Sequence, residues 1–320
     1  MLTIVVARYK EDVAWLNDLP ADWRVYLYNK GPAIAPGTLR RPGIEVRALP
    51  NHGLEASAYL YHLRHHFNAG EGEFTVFTQA DPFPHSPGFL QLLDVAAGWR
   101  DIQPLSVQWL AAKNVPPRHL LLKDRRAWVG DIPVYTEYFS LHTCTPVAYF
   151  DVAAWRLFTQ YRVDHNLGSG DNLVEHFFEL CGLQWLADEV RGADVGVFSY
   201  GAIFGVRNSR VAAFLERARP HLERMELLTR SALVFSYMLE RCWLHLFGEP
   251  VIRFAPLHSP NAAAPVAESE VPKTFIETDA TTLADAELAA LRTPHYEVWG
   301  GVGGPDPKVW GGWGRPDPKP

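Results

Sequence analysis

Residues 74–87 read FTVFTQADPFPHSP. The opening run is rich in aromatic and β-branched residues, the composition of a buried strand. It ends in Gln79, Ala80 and Asp81, after which Pro82 and Pro84 cannot continue a hydrogen-bonded ladder and turn the chain away. This pattern predicts a strand after which Asp81 and His85 are presented at the sheet's carboxyl edge. A carboxylate there suits a Mg²⁺ or Mn²⁺ ion held against a diphosphate, so Asp81 and His85 are candidate metal ligands. A single Asp at a strand end is equally a turn former or helix cap.

Working outward, residues 3–7 (TIVVA), 24–28 (RVYLY) and 44–48 (IEVRA) carry the same β-rich signature, each bounded by Pro, Gly, Asn or Asp. Before the strand at 74, Leu60, Leu63 and Phe67 recur at helical spacing, with Glu55 near the start, where a carboxylate suits the helix dipole. Another helix is expected after Pro87, over 90–97. Residues 101–150, with five prolines among short apolar runs, read as a loop-rich insert. Helical periodicity returns over 152–160, 172–181 and 209–246, broken near Pro220, with a strand-like run at 202–206. Strands alternating with amphipathic stretches predict an α/β fold, a mostly parallel central sheet flanked by helices.

After Gly248 the composition shifts to Ala, Pro, Ser and Glu, and from Val298 to Gly, Pro and Trp, which supply no core. The expected organisation is one α/β domain over 1–260 and a flexible tail over 261–320. Within the tail an eleven-residue unit is repeated in tandem, VWGGVGGPDPK at 298–308 and VWGGWGRPDPK at 309–319. Two such units are too few and too short for a solenoid. They read as a recent duplication, as a docking peptide anchored by Trp299, Trp310 and Trp313 for a protein partner, or as a segment that the protein itself modifies.

The chain has 320 residues, 48% hydrophobic and 21% charged, an ordinary globular composition. Its net charge of −6 gives no broad basic surface, which argues against nucleic acid as a partner. Cys144, Cys181 and Cys242 are too far apart for a zinc ribbon or redox pair and read as buried thiols. The apolar run at the start is too short for a signal peptide, and no later run is long enough for a transmembrane segment. The cytoplasm is therefore the expected location.

Four further clusters carry possible chemistry. Residues 6–12 (VARYKED) end a strand in a basic, aromatic and acidic turn. In open α/β sheets ligands bind at the carboxyl ends of strands, so Arg8 and Tyr9 there can neutralise phosphate and stack on a base. Residues 51–55 (NHGLE) open onto the next helix, where Asn51 is first a cap and second a ligand contact on the same sheet edge. In residues 167–172 (LGSGDN) Asp171 is either part of a helix cap or a general base for an acceptor hydroxyl, with His165 as the alternative base. Residues 237–243 (YMLERCW) form part of an amphipathic helix, mainly core, from which Glu240 and Arg241 either reach a ligand cleft or pair with other residues. No Walker loop, nucleophile elbow or first-strand Gly-x-Gly-x-x-Gly is present, which weighs against kinase, hydrolase and dehydrogenase readings.

The succession IVVARYKED, YLYNKG, LPNHGLEASAYLYHL, TVFTQADPFPH, GAIFGVRNSR and SYMLERCWLHLFG resembles a family of bacterial and fungal proteins known only as a domain of unknown function, over about residues 1–250. Behind it lies a more distant similarity to glycosyltransferases of the A fold, with a Rossmann-like architecture. That resemblance implies transfer of a sugar from a nucleoside-diphosphate sugar donor to an acceptor hydroxyl, with Tyr9 and Glu11 at the nucleotide, Asp81 on a divalent cation (Mn²⁺ or Mg²⁺) and Asp171 at the acceptor. Arg8, Asn51 and Arg241 complete the expected nucleotide contacts, with Arg8 or Arg241 offsetting diphosphate charge. The chain departs from the usual Asp-x-Asp metal motif, with Gln79-Ala80-Asp81 in its place. Two other readings stand beside this one, a peptide-modifying enzyme acting on its own repeat and a non-catalytic binding module whose tail recruits a partner.

Overall fold

The computed structural model describes residues 1–106, 126–147 and 151–253. The whole of the expected tail with its tandem repeat, like the end of the expected 1–260 domain, lies outside the described residues. Within them the four strands expected from composition are present as β1 (Leu2–Arg8), β2 (Arg24–Asn29), β3 (Ile44–Ala48) and β4 (Phe74–Gln79). The helix between the last two is α1 (Leu54–His65), and a short α2 (Phe89–Asp94) with a 3-10 turn at Ala96–Gly98 follows Pro87.

The stretch expected to be a loop-rich insert holds four short strands, β5 (Ile102–Pro104), β6 (Arg126–Val129), β7 (Ile132–Tyr135) and β8 (Glu137–Ser140). Proline misled the reading there, because Pro104 closes a three-residue strand at the sheet's edge, where a missing N–H costs little. Then come α3 (Val152–Asp164), α4 (Leu173–Cys181), α5 (Gln184–Val190), β9 (Val195–Phe198), β10 (Phe204–Arg207), α6 (Asn208–Ala218), α7 (Leu222–Ser231) and α8 (Leu233–Leu246). The helical run after residue 208 breaks at Pro220 as expected and again at Ala232, whose extended backbone (φ −154°, ψ 145°) separates α7 from α8.

The six-stranded sheet has the order β3-β2-β1-β4-β10-β5. The first four strands pair in parallel, while β10 runs antiparallel to both β4 and β5. The sheet is thus mixed, with β10 its one reversed strand. β6 with β7 and β8 with β9 form separate antiparallel pairs.

β1 shows why helices cover both faces. All seven of its residues are buried. Val5 and Ala7 join the cluster formed with α1, α3, α4 and α8, while Leu2, Ile4 and Val6 join the cluster on the other face with α2 and Trp99. A strand alternates its side chains at a period of two, so an unbroken apolar run requires two covered faces. Asn172 caps α4, accepting from Val174 N and Glu175 N at 3.0 Å each, and contributes about 1 kcal/mol. The three cysteines are free and buried, as their spacing predicts.

Candidate functional site

The chain runs from β1 to β2 to β3 in one direction across the sheet and then returns to place β4 on the other side of β1. In open α/β sheets such a reversal is where a ligand crevice forms, here beyond the carboxyl ends of β1 and β4, because the connections leave the two strand ends in opposite directions. The turn after β1 lies on one side of it and the turn after β4 on the other. Trp15 Nε1 donates to Ala80 O at 2.7 Å and Ala80 N to Ala7 O at 2.9 Å, so the two turns are tied at their base.

Each turn is built locally. Glu11 folds its carboxylate back to accept from Tyr9 N at 2.7 Å and Lys10 N at 3.0 Å. Arg8 is buried and donates to Glu11 O, Tyr9 O, Asn29 Oδ1 and Pro32 O, which makes it the clasp between the loops after β1 and β2. Those loops pass so closely that a Cβ on Gly31 would lie 1.8 Å from Tyr9 O. Glycine is required at that crossing. Of the residues expected to contact a nucleotide here, Tyr9 is half-buried at the lip, whereas Glu11 and Arg8 spend the bonds described on their own loops.

Across the crevice Asp81 is exposed. His85 turns inward, its ring edge-on to Tyr200 with centroids 5.0 Å apart. Burial pulls its pKa down to about 4, so the ring is neutral at pH 7, and its buried Nδ1 has no hydrogen-bond partner among the described residues. No group of three or more His, Cys, Asp or Glu side chains converges to hold a metal among the described residues. One exposed carboxylate fits a cation that draws most of its ligands from a diphosphate and water, as Mg²⁺ usually does, and does not fit a preassembled protein cage.

Asn51 is exposed and does not cap α1. Gly53 occupies the N-cap position in the left-handed region (φ 64°), and Leu54 follows at φ 46°, a conformation rare for a branched side chain. The helix start is held instead by Lys30, at the end of β2. Its Nζ donates to His52 O at 3.1 Å, to Ser57 Oγ at 3.2 Å and to Leu54 O. A second left-handed pair, Gly201 (φ 68°) and Ala202 (φ 53°), precedes β10. Gln79 Nε2 donates to Gly201 O at 2.9 Å and Gly201 N to Glu240 Oε1 at 3.0 Å, so β4, this loop and α8 meet at one point. Strained backbone of this kind persists where surrounding contacts over-determine it.

Around that point lies a buried charged cluster. Arg241 is 1% exposed, paired with Asp151 at 3.2 Å and Glu240 at 3.0 Å, with its guanidinium 4.1 Å from the Phe198 ring centroid. Glu55, in the first turn of α1, is 6% exposed. Its carboxyl is held above the usual carboxylate range by burial and by the charge of Glu240, against the opposing pull of Lys30 and Arg241. Burial pushes the Lys30 ammonium down, with Glu55 and Glu11 opposing. Tyr237 senses Glu240, Asp151, Glu55 and Arg241, and its phenol is raised chiefly by burial.

Of the two alternatives the sequence left open for Arg241 and Glu240, the structure shows pairing, with each other and between Arg241 and Asp151. Lys30, Glu55, Asp151 and Gly201 are the members that sequence reasoning did not place in the site. The Lys30-Gly31 step directly after a strand was the one available signal.

Asp171 and His165 are not brought to this cluster. Asp171 is exposed and accepts from Gly168 N at 2.6 Å, closing the loop beyond α3. His165 packs on Tyr161 and His176, with centroids 4.3 and 4.9 Å away. Asp151 caps the opposite end of α3, a helix of 13 residues and thus roughly 20 Å long. No helix among the described residues is long and apolar enough to cross a membrane. In comparisons with protein-family models, with curated proteins and with solved structures, nothing matches this chain.

Proposed function

We propose that the protein is a glycosyltransferase of the A type, which binds a nucleoside-diphosphate sugar in the crevice between β1 and β4 and transfers the sugar to an acceptor hydroxyl. The observation that supports this reading is the reversal of strand order between β1 and β4, with an aromatic residue, Tyr9, after one strand and an exposed carboxylate, Asp81, after the other. In this reading Tyr9 stacks on the base, and Asp81 holds a Mg²⁺ or Mn²⁺ ion that supplies charge neutralisation to the departing diphosphate. Lys30 and Arg241 add fixed positive charge behind the crevice, and Arg8 keeps its two loops closed up. The protein's own contribution is orientation, since a diphosphate leaving group needs to be positioned and neutralised more than it needs to be activated.

The test is a thermal-shift screen of the full chain against nucleoside diphosphates and nucleotide sugars, with and without Mn²⁺. A ligand at 100 times its Kd stabilises the folded state by about 2.7 kcal/mol, which a melting curve reads easily. The expected result is a Mn²⁺-dependent rise in Tm for one nucleotide class, lost in Asp81→Ala. No rise with any nucleotide overturns the reading.

A further inference from the structure

A groove of about 620 Å³ lies between the turn after α1 and the helix α6, within the size range of ligand pockets, ~300–1,000 Å³. Phe67, half-buried, and Leu215, buried, line it together with Ala212 and Pro220. Phe67 falls between the end of α1 and the start of β4, at the amino edge of the parallel strands, whereas Tyr9 and Asp81 follow carboxyl ends. The groove is therefore separate from the site proposed for sugar transfer.

Glu216 and Arg219 also line it, and both are exposed. Neither has an ion-pair or side-chain hydrogen-bond partner among the described residues. By contrast, Arg210 of the same helix pairs with Asp101 at 3.1 Å, and Arg217 lies 4.3 Å from the centre of the Trp185 ring. The backbone stays helical through Arg219 (φ −50°, ψ −43°), so Glu216 and Arg219 stand three helical positions apart, with about 5–6 Å between their Cβ atoms. One apolar groove thus presents an unpaired acid and an unpaired base one turn apart, and its fitting occupant carries the opposite pair beside an apolar anchor.

The sequence of this chain contains such an occupant twice. Each tandem unit ends in Pro-Asp-Pro-Lys, at 305–308 and 316–319, behind at least one tryptophan. A residue before proline is held in extended or polyproline backbone, and two residues of polyproline backbone advance about 6 Å. An Asp-Pro-Lys segment therefore offers an acid and a base at the separation of Arg219 and Glu216. We propose that the groove docks the tandem repeat of a second copy of the chain, with the aspartate on Arg219, the lysine on Glu216 and a tryptophan against Phe67 and Leu215. Tryptophan is among the residue types that most often anchor such contacts. Two units per chain leave one for a second neighbour, and such linked sites bind with raised avidity.

The experiment is sedimentation equilibrium of the full chain over a concentration series, with and without the labelled synthetic peptide VWGGWGRPDPK, the sequence of residues 309–319, whose binding is read by fluorescence anisotropy. The expected result is concentration-dependent self-association that excess peptide dissolves. The charge-exchanged peptide VWGGWGRPKPD should compete roughly tenfold less well. Arg219→Glu, at an exposed position, should leave Tm unchanged and weaken association roughly tenfold or more. Glu216→Arg combined with Arg219→Glu should reverse the preference, so that the exchanged peptide binds better than the native one, a result that a merely structural role does not give. A monomer at every concentration, self-association that the peptide leaves intact, or wild-type association in Arg219→Glu overturns the proposal. So does a double variant that still prefers the native peptide. A chain that stays monomeric yet binds the free peptide assigns the groove to a different partner and overturns docking of a second copy.

Discussion

The two sides of the crevice are built on opposite principles. On the β1 and β4 side the polar groups are local and wet. Glu11 closes its own turn and Asp81 stands exposed, with Arg8 the buried exception that ties this turn to the loop after β2. On the α1 and α8 side Lys30, Glu55 and Arg241 are buried, Asp151 and Glu240 are half-buried, and the five come from parts of the chain more than 200 residues apart. The wet side leaves the Asp81 carboxylate open to solvent. The buried side suits pKa control, because burial amplifies every neighbouring charge.

The contrast is most sharply broken by removing a charge from the buried side. Arg241→Ala leaves Asp151 and Glu240 uncompensated and should destabilise the fold by about 3–5 kcal/mol, read from denaturant unfolding. If the loss is below about 1 kcal/mol, the cluster is solvated and the contrast fails.

Glu55→Gln should act in the other direction and depend on pH. A carboxyl raised in the folded state contributes stability that is present below its unfolded pKa, near 4.5, and is lost as pH rises toward the folded value. Lys30 is depressed in the folded state, so its effect lies mainly above pH 8 and leaves the range from pH 5 to 7 to Glu55. Across that range the stability of Glu55→Gln relative to wild type should grow by on the order of 1–2 kcal/mol, measured by melting at each pH.

A smaller pair of effects concerns two asparagines that look alike in sequence. Asn172→Ala should cost about 1 kcal/mol, because it removes two capping bonds, whereas Asn51→Ala should be near neutral. On the wet side, Asp81→Ala should change unfolding stability by less than about 0.5 kcal/mol while removing any Mn²⁺-dependent ligand shift. A larger loss of stability would make Asp81 a structural residue.

That ordering follows what is legible in a sequence. The β1 to β4 strands, α1 and the Asn172 cap could all be read, because each rests on contacts within a few residues or on a strand's own period. The left-handed Gly53-Leu54 start of α1 was not legible, since a sequence with Asn two places earlier looks like an ordinary capped helix. Nor was the place of Asp171, which accepts from Gly168 N and closes the loop beyond α3.

By itself, then, the sequence determined an α/β sheet with two covered faces and a polar edge carrying Tyr9 and Asp81, because hydrophobic periodicity and turn chemistry are local. Only the tertiary structure decided that β10 runs against its neighbours and that Glu55 is buried within the field of Glu240. The reason is physical. A carboxylate's pKa is set by dielectric and by charges a few ångströms away, and those are supplied here by α8 and the end of β2, segments that the chain brings to Glu55 only by folding.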